Sequence, residues 1–293
     1  MTKVKVIPLS DALGAEIRGL DLREPLGAET IKEVEQAWYD HIVLAFRDQD
    51  LTMEQQRAFA AQFGALAPRG GDGGSAYEKT ISENVMLVTN IRENGKPIGT
   101  LPDGKMMFHS DTPYFENPRK ATLLYGIEIP SWGGETLFSN SYRVAETLPE
   151  EIKHKLAGKK AMQIYDYGAQ HKTENSYDFD LHPHYAHPIF RKHPETGRTS
   201  LYVSELMTVE IQGLAKQESD ELLSFLFQHQ AMEEFVYAHK WRPGDLVIWD
   251  NRCSVHARND FPGDERRLLR RLVLHDEHPV LAGEPPYREA AAQ

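Results

Sequence analysis

The stretch "DLVIWDNRCSVHARNDFPGDERRLLRRLVLH", residues 245–275, constrains the fold more than any other part of the chain. An apolar strand runs into Trp249-Asp250-Asn251, His256 follows, and an arginine-studded strand closes the segment. Successive side chains of a strand face opposite ways, so this last strand can be read by parity. One face carries Leu268, Arg270, Leu272 and Leu274; the other carries Arg267, Leu269, Arg271, Val273 and His275. If the strand lines a barrel lumen, Arg267 and Arg271 share that lumen with whatever His256 binds. A guanidinium is costly to bury without an anion, so a lumenal arginine implies a carboxylate, from the protein or from a ligand. The same parity also suits a solvated basic edge strand, which discourages aggregation.

A second histidine stands in "MMFHSDTPYF", where His109 and Asp111 are two positions apart and, in extended chain, face the same way. Spacing alone does not single the pair out. Thirteen histidines in a chain this acidic give one or two His-x-Asp/Glu triplets by chance, to order of magnitude. There are three, the others being His193/Glu195 and His275/Glu277. Two imidazoles and one carboxylate would leave adjacent coordination positions open, as ferrous iron needs to hold a bidentate co-substrate and dioxygen together. Zinc favours a more closed site.

The charge balance narrows the partners. With 33 Lys and Arg against 44 Asp and Glu, the net charge of −11 opposes binding to nucleic acid or an anionic membrane. A single cysteine, Cys253, excludes an internal disulfide and a thiolate cluster, and suits a reducing compartment. "MTKVKVIPLS" lacks a signal-peptide core, and no segment has the roughly twenty apolar residues of a membrane span. A cytoplasmic protein is expected.

Along the chain, "KVKVIPLSDALGAEIRGLDL" reads as strand, turn, strand, and "AETIKEVEQAWYDHI" as an amphipathic helix with Ile31, Val34, Ala37 and Trp38 on its apolar face. "IVLAF" reads as a buried strand, and "TMEQQRAFAAQFG" as a helix capped by Thr52 and closed by Gly64. "RGGDGGS" and "RENGKPIGTLPDGK" read as loops. "ATLLYGIEI", "GGETLFSN", "TSLYVS", "DLVIWDN" and "RRLLRRLVLH" are strand-like, "SDELLSFLFQHQA" is helical, and "EPPYREAAAQ" reads as a frayed tail. No linker divides the chain, so one domain over 1–293 is expected, with residues from about 280 onward as tail.

Five stretches in order, "LGAEIRGLDLREPL", "FHSDTPYFENP", "GGETLFSN", "HPETGRTSLYVS" and "WDNRCSVHARNDF…RRLLRRL", carry a family likeness. The chain resembles the iron(II)- and 2-oxoglutarate-dependent dioxygenases of the taurine dioxygenase and 2,4-dichlorophenoxyacetate dioxygenase family over nearly its whole length. The resemblance implies an oxidoreductase with an α+β, mainly β architecture: a double-stranded β-helix, or jelly roll, with flanking helices. It makes His109, Asp111 and His256 the iron ligands. It places the 2-oxoglutarate C5 carboxylate against Arg267 and Thr136, or against Arg271. The implied reaction couples decarboxylation of 2-oxoglutarate to succinate and carbon dioxide with hydroxylation of a small organic acid, and C–O or C–S cleavage can follow. Family members form dimers or tetramers, so a homo-oligomer is expected.

Two departures bear on the substrate. Phe108 stands where many members have Trp, and Ala67 in "FGALAPRG" stands where the taurine enzyme is expected to place a substrate-gripping histidine. A carboxylate substrate is therefore expected over a sulfonate. Arg69 and Lys105 are further candidates to grip its anion, with Tyr114, Phe115 and Tyr202 to wall its apolar body. Two other classes remain open: a zinc-dependent hydrolase or lyase on the same barrel, which would leave Arg267 and Arg271 without an obvious ligand, and a non-catalytic small-molecule binding protein.

Overall fold

The computed structural model describes residues 4–68, 84–101, 104–165 and 179–287. Two sheets carry the centre of the molecule. The larger orders seven strands as Lys5–Pro8, Ala15–Arg18, Val43–Phe46, Leu246–Asp250, Ala121–Glu128, Leu268–Leu274 and Met86–Thr89. The smaller orders four as Val236–His239, Thr136–Asn140, Ser254–Arg258 and Met106–His109. Strand, turn and strand open the chain as expected, paired antiparallel from Lys5↔Arg18 to Pro8↔Ala15. Gly14 closes the turn at φ +95, and a Cβ there would lie 3.2 Å from the Tyr237 ring.

Helix Ala28–His41 turns Val34, Ala37 and Trp38 inward, and helix Met53–Ala60 buries Phe59 and Ala60. Both pack on the outer face of the larger sheet, in a core that includes Phe46, Leu123, Ile248, Leu272 and Leu274. Thr52 and Gln55 cap the second helix reciprocally, each side chain binding the other's backbone N–H. That helix ends at Ala60 rather than running to Gly64, because residues 61–64 are turn and bend. Between the two sheets lies a second core of Leu124, Phe138, Val247, Trp249 and Leu269. A third packs helices Ser141–Thr147 and Lys216–Gln230 against shorter strands.

The parity of the arginine strand holds. Leu272 and Leu274 reach the outer core, where Arg270 donates to Gln56 Oε1 (2.6 Å) and to the Leu51 carbonyl (2.9 Å). Leu269 enters the inner core, and Arg267, Arg271 and Val273 face a cavity on the same side.

Three expectations need correction. Part of "RENGKPIGTLPDGK" is a hairpin of Arg92–Glu93 and Lys96–Pro97, turned through Asn94 (φ 50) and Gly95 (φ 76), the left-handed pair that a two-residue turn requires. "TSLYVS" is strand only over Thr199–Leu201. The start of the tail is docked rather than frayed: Leu281–Ala282 pairs with Phe190–Lys192, and the buried Lys153 ammonium donates to the Pro286 carbonyl at 2.6 Å. The run Arg69 to Ser75 lies outside the described residues.

Candidate active site

Cross-strand register assembles the site. His256 in Ser254–Arg258 pairs directly with His109, the last residue of Met106–His109, so their rings lie 4.1 Å apart between centroids. Asp111 follows two residues later, while the intervening Ser110 turns its hydroxyl to donate to the Asn251 carbonyl (2.8 Å). One donor atom each from His109, Asp111 and His256 lie within 4.8 Å of one another, and all three residues are buried.

Each donor is prepared for a cation. His109 Nδ1 donates to the Met107 carbonyl at 2.9 Å, which fixes the tautomer and leaves Nε2 as a lone-pair donor. Burial, above all, lowers the pKa of both histidines, and each suffers from nearby positive charge. They therefore stay neutral, the form that coordinates metal. Burial would raise the Asp111 carboxyl, but the charge of Arg271, with a hydrogen bond from Thr122, outweighs it and holds the pKa well below the usual carboxylate range. Asp111 Oδ1 pairs with Arg271 Nη2 at 2.6 Å, and Oδ2 accepts from the Thr122 hydroxyl. Behind that contact, Thr122 Oγ1 accepts from Asn251 Nδ2 (3.1 Å), whose Oδ1 accepts from Trp249 Nε1 (3.0 Å).

The triad opens on a cavity of about 210 Å³ walled by Met86, Met106, Tyr114, Leu124, Met207 and Val273 among others. Arg267 and Thr136 line it as well. Arg267 is 1% exposed and donates one weak bond, Nη2 to the Gly134 carbonyl at 3.3 Å. Its Nε and Nη1 have no partner among the described residues. Burial, reinforced by Arg258, lowers the guanidinium pKa to about 9. Gly134 (φ +68) makes room for it, since a Cβ there would stand 3.2 Å from Arg267 Nε. The Thr136 hydroxyl accepts from Trp241 Nε1 at 3.0 Å, which leaves its own hydrogen to donate. Unused buried donors of this kind fit a carboxylate, and the His/Asp/His set fits a divalent metal.

Among the described residues expected to meet the substrate's anion or apolar body, Tyr114 lines the cavity and the others do not. Lys105 is exposed and does not line it. Phe115 is 37% exposed and contributes its carbonyl to His187 Nε2 (2.8 Å) rather than its ring to the site. Tyr202 is buried under Arg191, with the guanidinium 4.8 Å from the ring centroid, and is not part of the cavity lining. Arg69 lies outside the described residues. Ala67 does line the cavity. Of the competing triplets, His193 is enclosed in a separate polar cluster and His275 is exposed past the last long strand. Sequence reasoning missed Arg119, Thr122 and Arg258. The last shares the parity of His256 in its strand, so the rule applied to Arg267 and Arg271 would have found it.

Residues 5–273 match the family described as "Taurine catabolism dioxygenase TauD, TfdA family". The chain is 31% identical over 305 aligned positions to pentalenolactone F synthase from Streptomyces arenae, covering 99% of this chain and 100% of that protein. It is 30% identical to the α-ketoglutarate-dependent 2,4-dichlorophenoxyacetate dioxygenase of Cupriavidus pinatubonensis, covering 92% and 97%. The crystal structure of AAD-2 in complex with Mn(II) and N-oxalylglycine superposes with a TM-score of 0.77 at 28% identity, covering 95% of this chain and all of that one (100%). Among the described residues no helix is long and apolar enough to cross a membrane. The chain belongs to the taurine catabolism dioxygenase TauD, TfdA family, and it is an iron(II)- and 2-oxoglutarate-dependent dioxygenase.

Proposed function

We propose that the chain is a single catalytic domain that hydroxylates a small organic acid in a cavity between the two sheets of a double-stranded β-helix. His109, Asp111 and His256 hold the iron, and Arg267 with Thr136 holds the distal carboxylate of 2-oxoglutarate. Iron(II) bound there supplies the binding of co-substrate and dioxygen and the oxidising power of the reaction. The protein's own work is positional. His109 is oriented by the Met107 carbonyl, Asp111 by Thr122, and the apolar walls exclude water from the reacting groups. Arg271, two residues further along the same strand face from Leu269, stands beside the metal ligands and takes the acidic group of the substrate. The relative named for 2,4-dichlorophenoxyacetate, an organic acid, supports that substrate class.

The observation that carries this reading is Arg267, a buried guanidinium with two unpaired donors on the cavity that holds the triad. A zinc hydrolase would give it nothing to bind. Arg267→Ala should weaken 2-oxoglutarate by roughly 2 to 5 kcal/mol, the cost of truncating one partner of a buried charge pair. Arg270→Ala, on the opposite face with Gln56, should leave that affinity in place. Calorimetric titration of 2-oxoglutarate into the Mn(II)-loaded proteins measures both. A larger loss in the Arg270 variant than in the Arg267 variant would overturn the assignment.

A further inference from the structure

Among the described residues the cavity lining carries more positive charge than the metal, the co-substrate and a singly charged acid balance. Arg119 lines it and follows the Asn117-Pro118 step, its backbone N–H donating to Thr112 Oγ1 at 3.1 Å. Its side chain has no hydrogen bond or ion pair among the described residues. The guanidinium is half-buried and close enough to feel the charges of Arg271 and Asp111. Among the described residues four arginines line the cavity, Arg119, Arg258, Arg267 and Arg271, against one carboxylate, Asp111.

A charge count through the loaded site separates their tasks. A divalent metal is neutralised by Asp111 and the metal-bound carboxylate of 2-oxoglutarate. Arg267 is neutralised by the distal carboxylate. Arg258 donates to the Gly104 carbonyl and lies 5.7 Å from the Phe261 ring, contacts that hold it without an anion. The other two cations of the lining are Arg271, which pairs with Asp111 at 2.6 Å, and Arg119, which lies close enough to feel the charge of both. Arg119 keeps some access to water, so it does not demand an anion as Arg267 does. Two guanidiniums over one apolar chamber nevertheless reward a second negative charge, because charge-assisted hydrogen bonds are worth more where water is scarce.

We propose that Arg119 is a specificity-determining residue that pairs with Arg271 to select an acid bearing two negative charges, as one doubly charged group or as two carboxylates, on a compact apolar body. This rests on the reading that Arg267 holds 2-oxoglutarate. The metal contacts stay with the triad; Arg119 acts on the substrate alone.

The test is binding to the Mn(II)-loaded protein with 2-oxoglutarate saturating, so that added diacids meet an occupied co-substrate site. Two matched pairs are titrated by calorimetry at about pH 8.5: phenylphosphonate against benzenesulfonate, and phenylsuccinate against its monoamides. The doubly charged member of at least one pair should bind about tenfold tighter or more, the worth of one added charge-assisted hydrogen bond. Arg119→Gln should bring that member down to the affinity of its singly charged match, and Arg119→Lys should restore part of the difference. Equal affinities within both pairs, no measurable binding of any probe, or a preference that survives Arg119→Gln would overturn the proposal. Failure of 2-oxoglutarate itself to bind the wild-type protein would instead bring down the co-substrate reading on which it stands.

Discussion

Two buried clusters in this molecule look alike by composition and differ in what they leave unused. His109, Asp111 and His256 form one; His193, Asp250 and Cys253 form the other, and in each the donor atoms lie within 4.8 Å of one another. In the second every capacity is taken. Asp250 Oδ1 accepts from the Arg252 backbone N–H (2.8 Å) and Nε (2.9 Å), and Oδ2 accepts from Arg252 Nη2 (2.7 Å) and His193 Nε2 (3.0 Å). His193 Nδ1 accepts from the Thr196 N–H at 3.2 Å. Burial raises the Cys253 thiol well above its ordinary pKa, so it offers no thiolate. Arg252, buried and also paired with Glu195 at 2.9 Å, already occupies the place a metal cation would take. In the first cluster the cation is at the rim: Arg271 touches one oxygen of Asp111, His109 Nε2 is free, and the cavity lies in front. Nearness of ligating atoms is thus a poor guide to a metal site, and unsatisfied capacity beside open space is a better one.

That contrast can be broken most decisively at His256. His256→Ala should abolish stoichiometric metal binding and turnover while the melting temperature scarcely moves, because His256 Nδ1 holds no hydrogen bond and the ring fills the cavity edge. Metal analysis of the purified variant together with thermal unfolding reads both. One equivalent of tightly held metal in the variant would show that the triad is not the metal centre.

The opposite signature is expected at Asp250. Asp250→Ala strands a fully buried guanidinium, with Glu195 and the more distant Asp276 (3.9 Å) left to answer it among the described residues. Breaking such a pair costs about 3 to 5 kcal/mol of stability. Denaturant unfolding should register that loss, whereas the protein that remains folded should still bind metal at one equivalent. A variant of undiminished stability that had lost its metal would reverse the roles assigned to the two clusters.

How far the sequence anticipated this arrangement follows from what kind of information each feature needs. Strand parity is local, so the sorting of Arg267 and Arg271 from Arg270 was legible before any contact was known, as were the Thr52 cap and the two-residue offset of His109 and Asp111. The aromatic residues fared worse, because a sequence gives a ring but not its surroundings: Tyr114 faces the cavity, while its neighbour Phe115 packs on it from outside the lining and is partly exposed. Arg119 and Thr122 were invisible for a different reason. Their roles depend on how Ala121–Glu128 aligns with Leu246–Asp250, a pairing of Trp249↔Thr122 and Asp250↔Ala121 across more than a hundred residues of chain. No spacing rule reaches that far. The Asn94-Gly95 hairpin, by contrast, had a local signal that its short, unpatterned flanks obscured.

The smallest effect tests the support behind the triad. Thr122 reaches Asp111 Oδ2 from the larger sheet and is itself held by Asn251 and, through it, by Trp249, all within the protein interior. Such a chain orients a carboxylate that would otherwise swing toward Arg271, which already pairs with the other oxygen. Thr122→Val keeps the side chain's shape and removes its hydroxyl, leaving Asn251 Nδ2 one partner short. Metal affinity should fall by about 10- to 100-fold, the usual consequence of losing a hydrogen bond to a ligand, with the binding stoichiometry unchanged. Thr122→Ser should recover most of it, since the hydroxyl returns while a methyl group is lost. Competition against a chelator of known affinity separates the three proteins. If the valine and serine variants weaken metal equally, packing at the strand rather than the hydroxyl positions Asp111, and the hydrogen-bonded chain from Trp249 belongs to the fold, as the Asp250 cluster does.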